Sequence, residues 1–158
     1  ACASTEDKLA LCKTYGADER INYTTEDLKK RIKELTEGKG ADVIYDPVGD
    51  KFSEPALRAI GWEGRFLVVG FAAGEIPKIP LNLALLKGCQ IVGVFWGAFK
   101  TQFPDLHNDN VADLLKMYED GHLNPHISEV YDLSNGAKAI KDLAERKAKG
   151  KIVVRVKS

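Results

Sequence analysis

The segment "GRFLVVGF" (residues 64–71) is apolar at successive positions, so both faces of the strand it forms are apolar. A strand of that kind suits a parallel sheet covered by helices on each side, because antiparallel strands usually alternate an apolar face with a wet one. Helical and strand patterns alternate along the rest of the chain. "STEDKLALCKTYG" predicts a helix with Ser4 as N-cap, Asp7 three residues on and Gly16 as the stop. "ERINY" is a short strand, and Leu28, Ile32 and Leu35 mark one face of a helix closed by Gly38. "ADVIYDPVG" is an apolar strand ended by Pro47 and Gly49, and "KFSEPALRAIG" is the helix after it. "LNLALLKG" gives a short helix and "CQIVGVFW" the next strand. About four such alternations predict an α/β, Rossmann-like, doubly wound parallel sheet.

The pattern changes after Trp96. "GAFKTQFPDLHND" reads as a loop, and "NVADLLKMYEDGHL" as a helix burying Val111, Leu114, Leu115 and Tyr118. A strand "HISEVYDL", a helix "SNGAKAIKDLAERKAKG" and a strand "KIVVRV" complete the chain. Residues 1–97 are read as a partial NAD(P)-binding Rossmann domain. Residues 98–158 either complete that domain or return to a neighbouring one.

Lys plus Arg and Asp plus Glu number 23 each, giving zero formal charge. Bulk electrostatics therefore select neither nucleic acid nor an anionic membrane as partner. No apolar run approaches the roughly 20 residues that span a bilayer. Cys2, Cys12 and Cys89 include no C-x-x-C pair and read as reduced thiols of a cytoplasmic chain, with a mitochondrial location as the second option. His122 and His126 are spaced i,i+4, but Pro125 between them argues against a helix and hence against a metal site.

Ligands of open α/β sheets bind beyond the carboxyl ends of the strands. Those ends here lead into "CASTEDK", "DPVGDK", "GFAAGE" and "VFWGAFK", three with glycine directly after the strand, where backbone can approach a ligand closely. The phosphate fingerprint G-x-G-x-x-G is absent, and the chain reads as starting at the end of a second strand. That strand end is where a dinucleotide ribose is read. The end reads Ala3, Ser4 and Thr5, with Lys8 one turn into the helix; Ser4, Thr5 and Lys8 favour an extra phosphate there, whereas Glu6 and Asp7 make the charge mixed. Taken alone, Lys8 reads first as a solvated helix surface, and Phe95 and Trp96 are equally compatible with core or dimer packing.

Together these segments resemble the medium-chain dehydrogenase/reductase superfamily, and within it the zinc-independent quinone oxidoreductases related to zeta-crystallin. The likeness rests on a Ser/Thr-x-x-Lys segment, Gly-Ala-Asp followed by Ile-Asn-Tyr, and an Asp-x-Val-Gly turn. It extends through "GRFLVVGFAAGEIPKIPLN", "GVFWGAF" and "GKIVVRV", covering essentially the whole chain. The resemblance implies NADPH as cofactor, with Lys8, Tyr23 and Ser4 at its 2′-phosphate. It puts Arg146 near that phosphate too, although in other relatives the matching position is Ala148. It implies Val48 and Gly49 beside the cofactor ribose, Gly70, Phe71 and Ala73 along the nicotinamide, and Phe95, Trp96 and Gly97 beneath it. The implied substrate is a small quinone or enone, and the implied assembly a homodimer through the sixth strand, "CQIVGVFW". By the same likeness, the first sheet strand, the glycine loop and a barrel domain like GroES precede this chain, which alone is expected to be inactive. No catalytic residue is assigned. A stand-alone nucleotide-binding or regulatory module, and a structural or interaction protein with a vestigial cofactor site, remain open as other classes.

Overall fold

Runs of β-branched and aromatic residues punctuated by glycine and proline build the strands, and the polar, Leu-bearing stretches between them coil into crossover helices. The computed structural model describes residues 1–157. Two compact units divide the chain, Ala1–Ala98 and the stretch from Phe99 onward. The first unit holds β1 (Cys2–Ala3), α1 (Glu6–Thr14), β2 (Ile21–Asn22), α2 (Leu28–Leu35) and β3 (Ala41–Asp46). A single 3-10 turn, Asp50–Phe52, then leads into α3 (Ser53–Arg58), β4 (Ile60–Val68), α4 (Asn82–Lys87) and β5 (Gln90–Gly93). Helix α5 (Trp96–Gln102) crosses the boundary in sequence, and the second unit continues with α6 (Pro104–Glu119), β6 (Ile127–Asp132), α7 (Gly136–Ala144) and β7 (Lys151–Arg155).

Every strand pair among the described residues is parallel: β1 with β2, β3 with β4, β4 with β5, and β6 with β7. Among the described residues the strands form three parallel sheets, β1–β2, β3–β4–β5 and β6–β7. The α/β parallel architecture predicted from the sequence is the one observed.

The core of the first unit is Ala56, Leu57, Ile60, Phe66 and Leu83, with Leu28, Ile44, Val68, Ile79 and Cys89 packed around it. Leu57 and Ile60 are fully buried, each contributing about 1.5–3 kcal/mol relative to exposure. Helices α2 and α3 pack against one another. Gly40, buried at φ 92°, passes so close to Ala59 and Gly61 that any Cβ would strike their backbone.

Four details differ from the sequence expectations. The cap of α1 is Thr5, not Ser4: Thr5 has the extended conformation (φ −142°, ψ 151°) and its hydroxyl accepts from the Lys8 amide at 3.4 Å. β4 starts at Ile60 rather than near Gly64, because Glu63 adopts φ 58° and the register shifts between Ala41 and Val43, a bulge that lets the strand run on. β5 ends at Gly93, so Phe95 lies beyond the strand, and Trp96 opens α5 across part of the expected loop. α6 begins at Pro104, whose missing N–H costs nothing in the first turn. Its Leu114, Leu115 and Tyr118 are exposed rather than buried.

Candidate functional site

Parallel register brings the strand ends of the first unit together in two groups. In the first, Ala3 pairs with Asn22, and the Tyr23 amide donates to the Ala3 carbonyl at 3.2 Å. Ser4 and Tyr23 therefore leave adjacent strands side by side. The Ser4 carbonyl accepts from the Thr24 hydroxyl at 3.3 Å, and Lys8 lies one turn into α1. Ser4, Lys8 and Tyr23 are all half-buried. Glu6 is held by Asn22, whose Nδ2 donates to the Glu6 carboxylate at 2.7 Å. The buried Asn22 also takes its own amide to Glu26 at 2.7 Å and accepts from Thr24 Oγ1 at 2.6 Å.

In the second group, Asp46, Val68 and Gly93 end β3, β4 and β5 in register. The turn after β3 and the loop after β4 are joined by main-chain hydrogen bonds. Val69 and Gly70 amides donate to the Asp46 carbonyl (3.0 and 3.3 Å), Ala72 to Pro47 (3.0 Å), Ala73 to Val48 (2.9 Å), and Asp50 to Glu75 (3.1 Å). Val48, Gly49, Gly70, Phe71 and Ala73 thus form one structure. Gly49 has φ 73°, and a Cβ there would stand 2.8 Å from Cδ1 of Phe71. From β5, the Val94 amide donates to the Val68 carbonyl at 2.9 Å, which sets the segment containing Phe95, Trp96 and Gly97 beside the root of that loop. Phe95 is 78% exposed.

The two groups are linked by the Tyr23 and Phe52 rings. A cleft of about 850 Å³ opens along this link, lined by Tyr23, Asp27, Lys51, Phe52, Glu75 and Lys78 among others. A smaller cavity of about 130 Å³ under the loop is walled by Leu57, Phe66, Phe71 and Ile76, with Asp46 and Ser53 as its polar end. Asp46, Ser53 and Phe52 were not singled out from the sequence. The available signal was an aspartate directly before Pro-x-Gly, which can bond its own turn.

Arg146 lies in the second unit, just past α7, at φ 57°. Its neighbour Lys147 pairs with Glu145 at 2.6 Å and Asp142 at 3.2 Å. Hydrogen bonds from Tyr131 (2.7 Å) and then Lys147 hold the Asp142 carboxyl below the usual carboxylate range. The same Tyr131 bond pushes its phenol up, and Glu145 followed by Asp142 raises Lys147.

The first 112 residues match the family described as zinc-binding dehydrogenase. The chain belongs to that family. It is 40% identical over 156 residues to a quinone oxidoreductase-like protein 2 homolog of Nematostella vectensis, an alignment covering 98% of this chain and 43% of the relative. Among solved structures, a quinone oxidoreductase of Pseudomonas syringae pv. Tomato DC3000 superposes with TM-score 0.86 at 28% identity, covering 98% of this chain and 48% of that one. An NAD-dependent alcohol dehydrogenase superposes with TM-score 0.83 at 33% identity, covering 99% and 43%. The fold and the resemblance to the medium-chain superfamily and its quinone oxidoreductase-like branch hold. The chain spans slightly under half the length of these relatives.

Two groups implied by the family can be weighed against the residues present. For a metal ion, no three His, Cys, Asp or Glu side chains are grouped among the described residues. A nicotinamide dinucleotide does fit. Ser4 and Tyr23 follow the paired ends of β1 and β2 with Lys8 one turn into α1, residue types that can bind phosphate, and Phe71, Phe95 and Trp96 are exposed beyond β4 and β5, residue types that can receive a ring. No helix among the described residues is long and apolar enough to cross a membrane.

Proposed function

We propose that this chain is the NADPH-binding part of a zinc-independent quinone oxidoreductase-like enzyme. The reading is carried by the alignment of three strand ends, at Asp46, Val68 and Gly93, with a separate cationic and hydroxyl cluster at the end of β1. When bound, NADPH supplies a hydride for a small quinone or an activated alkene such as an enone. Lys8, Tyr23 and Ser4 grip the 2′-phosphate. Val48 and Gly49 pack on the ribose, and Gly70, Phe71 and Ala73 receive the nicotinamide on one side. Phe95, Trp96 and Gly97 wall it on the other and exclude water. These residues hold and orient; none is assigned as acid or base. Residues 1–97 form the partial cofactor domain, and residues 98–158 complete it or join a further catalytic domain. The acceptor approaches as a small molecule, neither nucleic acid nor membrane. Two copies pair along the free edge of β5 in a cytoplasmic homodimer.

The test is equilibrium titration of the full-length protein with NADPH and NADH, followed by oxidation of the preferred cofactor with 1,4-benzoquinone. Tighter NADPH binding and quinone-dependent oxidation are expected. A preference for NADH would favour a second reading, motivated by Glu6 near the ribose-reading strand end. Binding without turnover would favour a nucleotide-binding module, and binding of neither cofactor would leave an interaction role.

A further inference from the structure

Asp46 accepts five hydrogen bonds from three separate parts of the first unit. Pro47 has no amide, so the first donors of the "DPVG" turn are Val48 and Gly49. Both donate to Oδ1 of Asp46 at 2.9 Å. Oδ2 accepts from the hydroxyl of Ser53, the first residue of α3, at 2.6 Å, and Ser53 is 1% exposed. The Asp46 carbonyl accepts from Val69 and Gly70. The turn it holds includes two consecutive left-handed residues, Gly49 at φ 73° and Asp50 at φ 56°. The second is a non-glycine residue, whose strain persists only where surrounding bonds over-determine the backbone.

The geometry points to Asp46 as a positioning residue for the nicotinamide half of the cofactor site, an inference that rests on the function proposed above. Its side chain sets the 47–50 turn against α3, and that turn sets Ala72 and Ala73 through the carbonyls of Pro47 and Val48. Without the carboxylate, the Val48 and Gly49 amides and the buried Ser53 hydroxyl lose their acceptor. The loop that receives the ring is then no longer ordered before the cofactor arrives, and binding must supply that order. The Ser4, Lys8 and Tyr23 cluster hangs on different strands and meets this region through the Tyr23–Phe52 ring contact, so the change reaches it indirectly and far less.

The experiment compares calorimetric affinities of the full-length protein for NADPH and for 2′,5′-ADP, which carries the phosphate and adenosine but no nicotinamide. Asp46→Ala is expected to weaken NADPH by roughly tenfold to a hundredfold, the scale of lost charge-assisted hydrogen bonds, and to weaken 2′,5′-ADP by no more than about twofold. Asp46→Asn, whose amide oxygen still accepts from Val48 and Gly49, restores most of the NADPH affinity. Ser53→Ala removes one of the side-chain bonds and gives an intermediate loss; it carries the test if Asp46→Ala does not fold. Unchanged NADPH affinity in a folded variant, or equal weakening of both ligands, overturns the positioning role while leaving the proposed function intact. A wild-type protein that binds neither ligand overturns both.

Discussion

The rings of Tyr23 and Phe52 meet with centroids 4.5 Å apart and planes inclined at 51°. This contact ties the end of β2 to the turn that precedes α3, so the phenol of Tyr23 is fixed by a neighbour on another strand-end segment. The ring and the hydroxyl can therefore be tested separately. Tyr23→Phe keeps the contact and removes only the hydroxyl, whereas Tyr23→Ala removes both.

In the full-length protein, Tyr23→Phe and Lys8→Ala are each expected to weaken NADPH by roughly tenfold or more, the worth of a charge-assisted bond to phosphate. NADH affinity should stay within a factor of about two, since it lacks the group these residues hold. Parallel titrations with both cofactors check this. Equal losses for NADPH and NADH would remove the phosphate assignment.

Gly49→Ala places a Cβ at a left-handed φ and 2.8 Å from the Phe71 ring. The expected cost is about 1–3 kcal/mol of stability, with weaker NADPH binding as Phe71 is displaced. Urea unfolding and the cofactor titration read the two effects. A variant as stable as the parent would show that the turn can flip at no cost.

Leu57→Ala removes a fully buried side chain from the centre of the first unit's core. A loss of about 2–5 kcal/mol is expected from transfer and cavity together, visible as a lower urea midpoint. Trp62→Ala should cost far less, because Trp62 is 72% exposed; a reversed order would contradict the core described above.

In the second unit, Asp142 titrates below its ordinary range because Tyr131 and Lys147 bond its carboxylate. A lowered folded-state value makes the contribution to stability complete above the unfolded carboxyl's titration, near pH 4. It is then lost as pH falls through the lowered value. Thermal melts of the wild type between pH 5 and 2.5 should show this acid limb, and Asp142→Asn should flatten it. An identical acid limb in the variant would mean other carboxylates dominate.

Much of the architecture was readable because its signals are local. The apolar runs at 41–46, 64–68 and 90–93 lie within strands, and Gly88 takes φ 54° as the stop of α4. The misses have tertiary or cap-level causes. Ser4 and Thr5 both carry a hydroxyl, and only backbone conformation decides that Thr5 caps α1. "PDLHND" looks like a loop by polarity, yet Pro104 and Asp105 are also favourable first-turn residues, and the helix takes them. At the site, the proximity of Ser4 and Tyr23 follows from strand register. The joining of residues 46–50 to 69–75 does not, because those bonds connect segments that no sequence period relates.

The all-parallel pairing has a kinetic consequence. The shortest links in register, Cys2 with Ile21 and Ala41 with Ile60, each close over 19 residues (21 − 2 and 60 − 41), so no hairpin is available to start a sheet. Each pairing must wait for a whole crossover to be ordered, and loop-closure entropy is spent before any strand contact forms. Refolding of this chain should accordingly be slow for its size. Substitutions that strengthen α1 or α2 alone should accelerate it less than those that improve the meeting of β3 with β4.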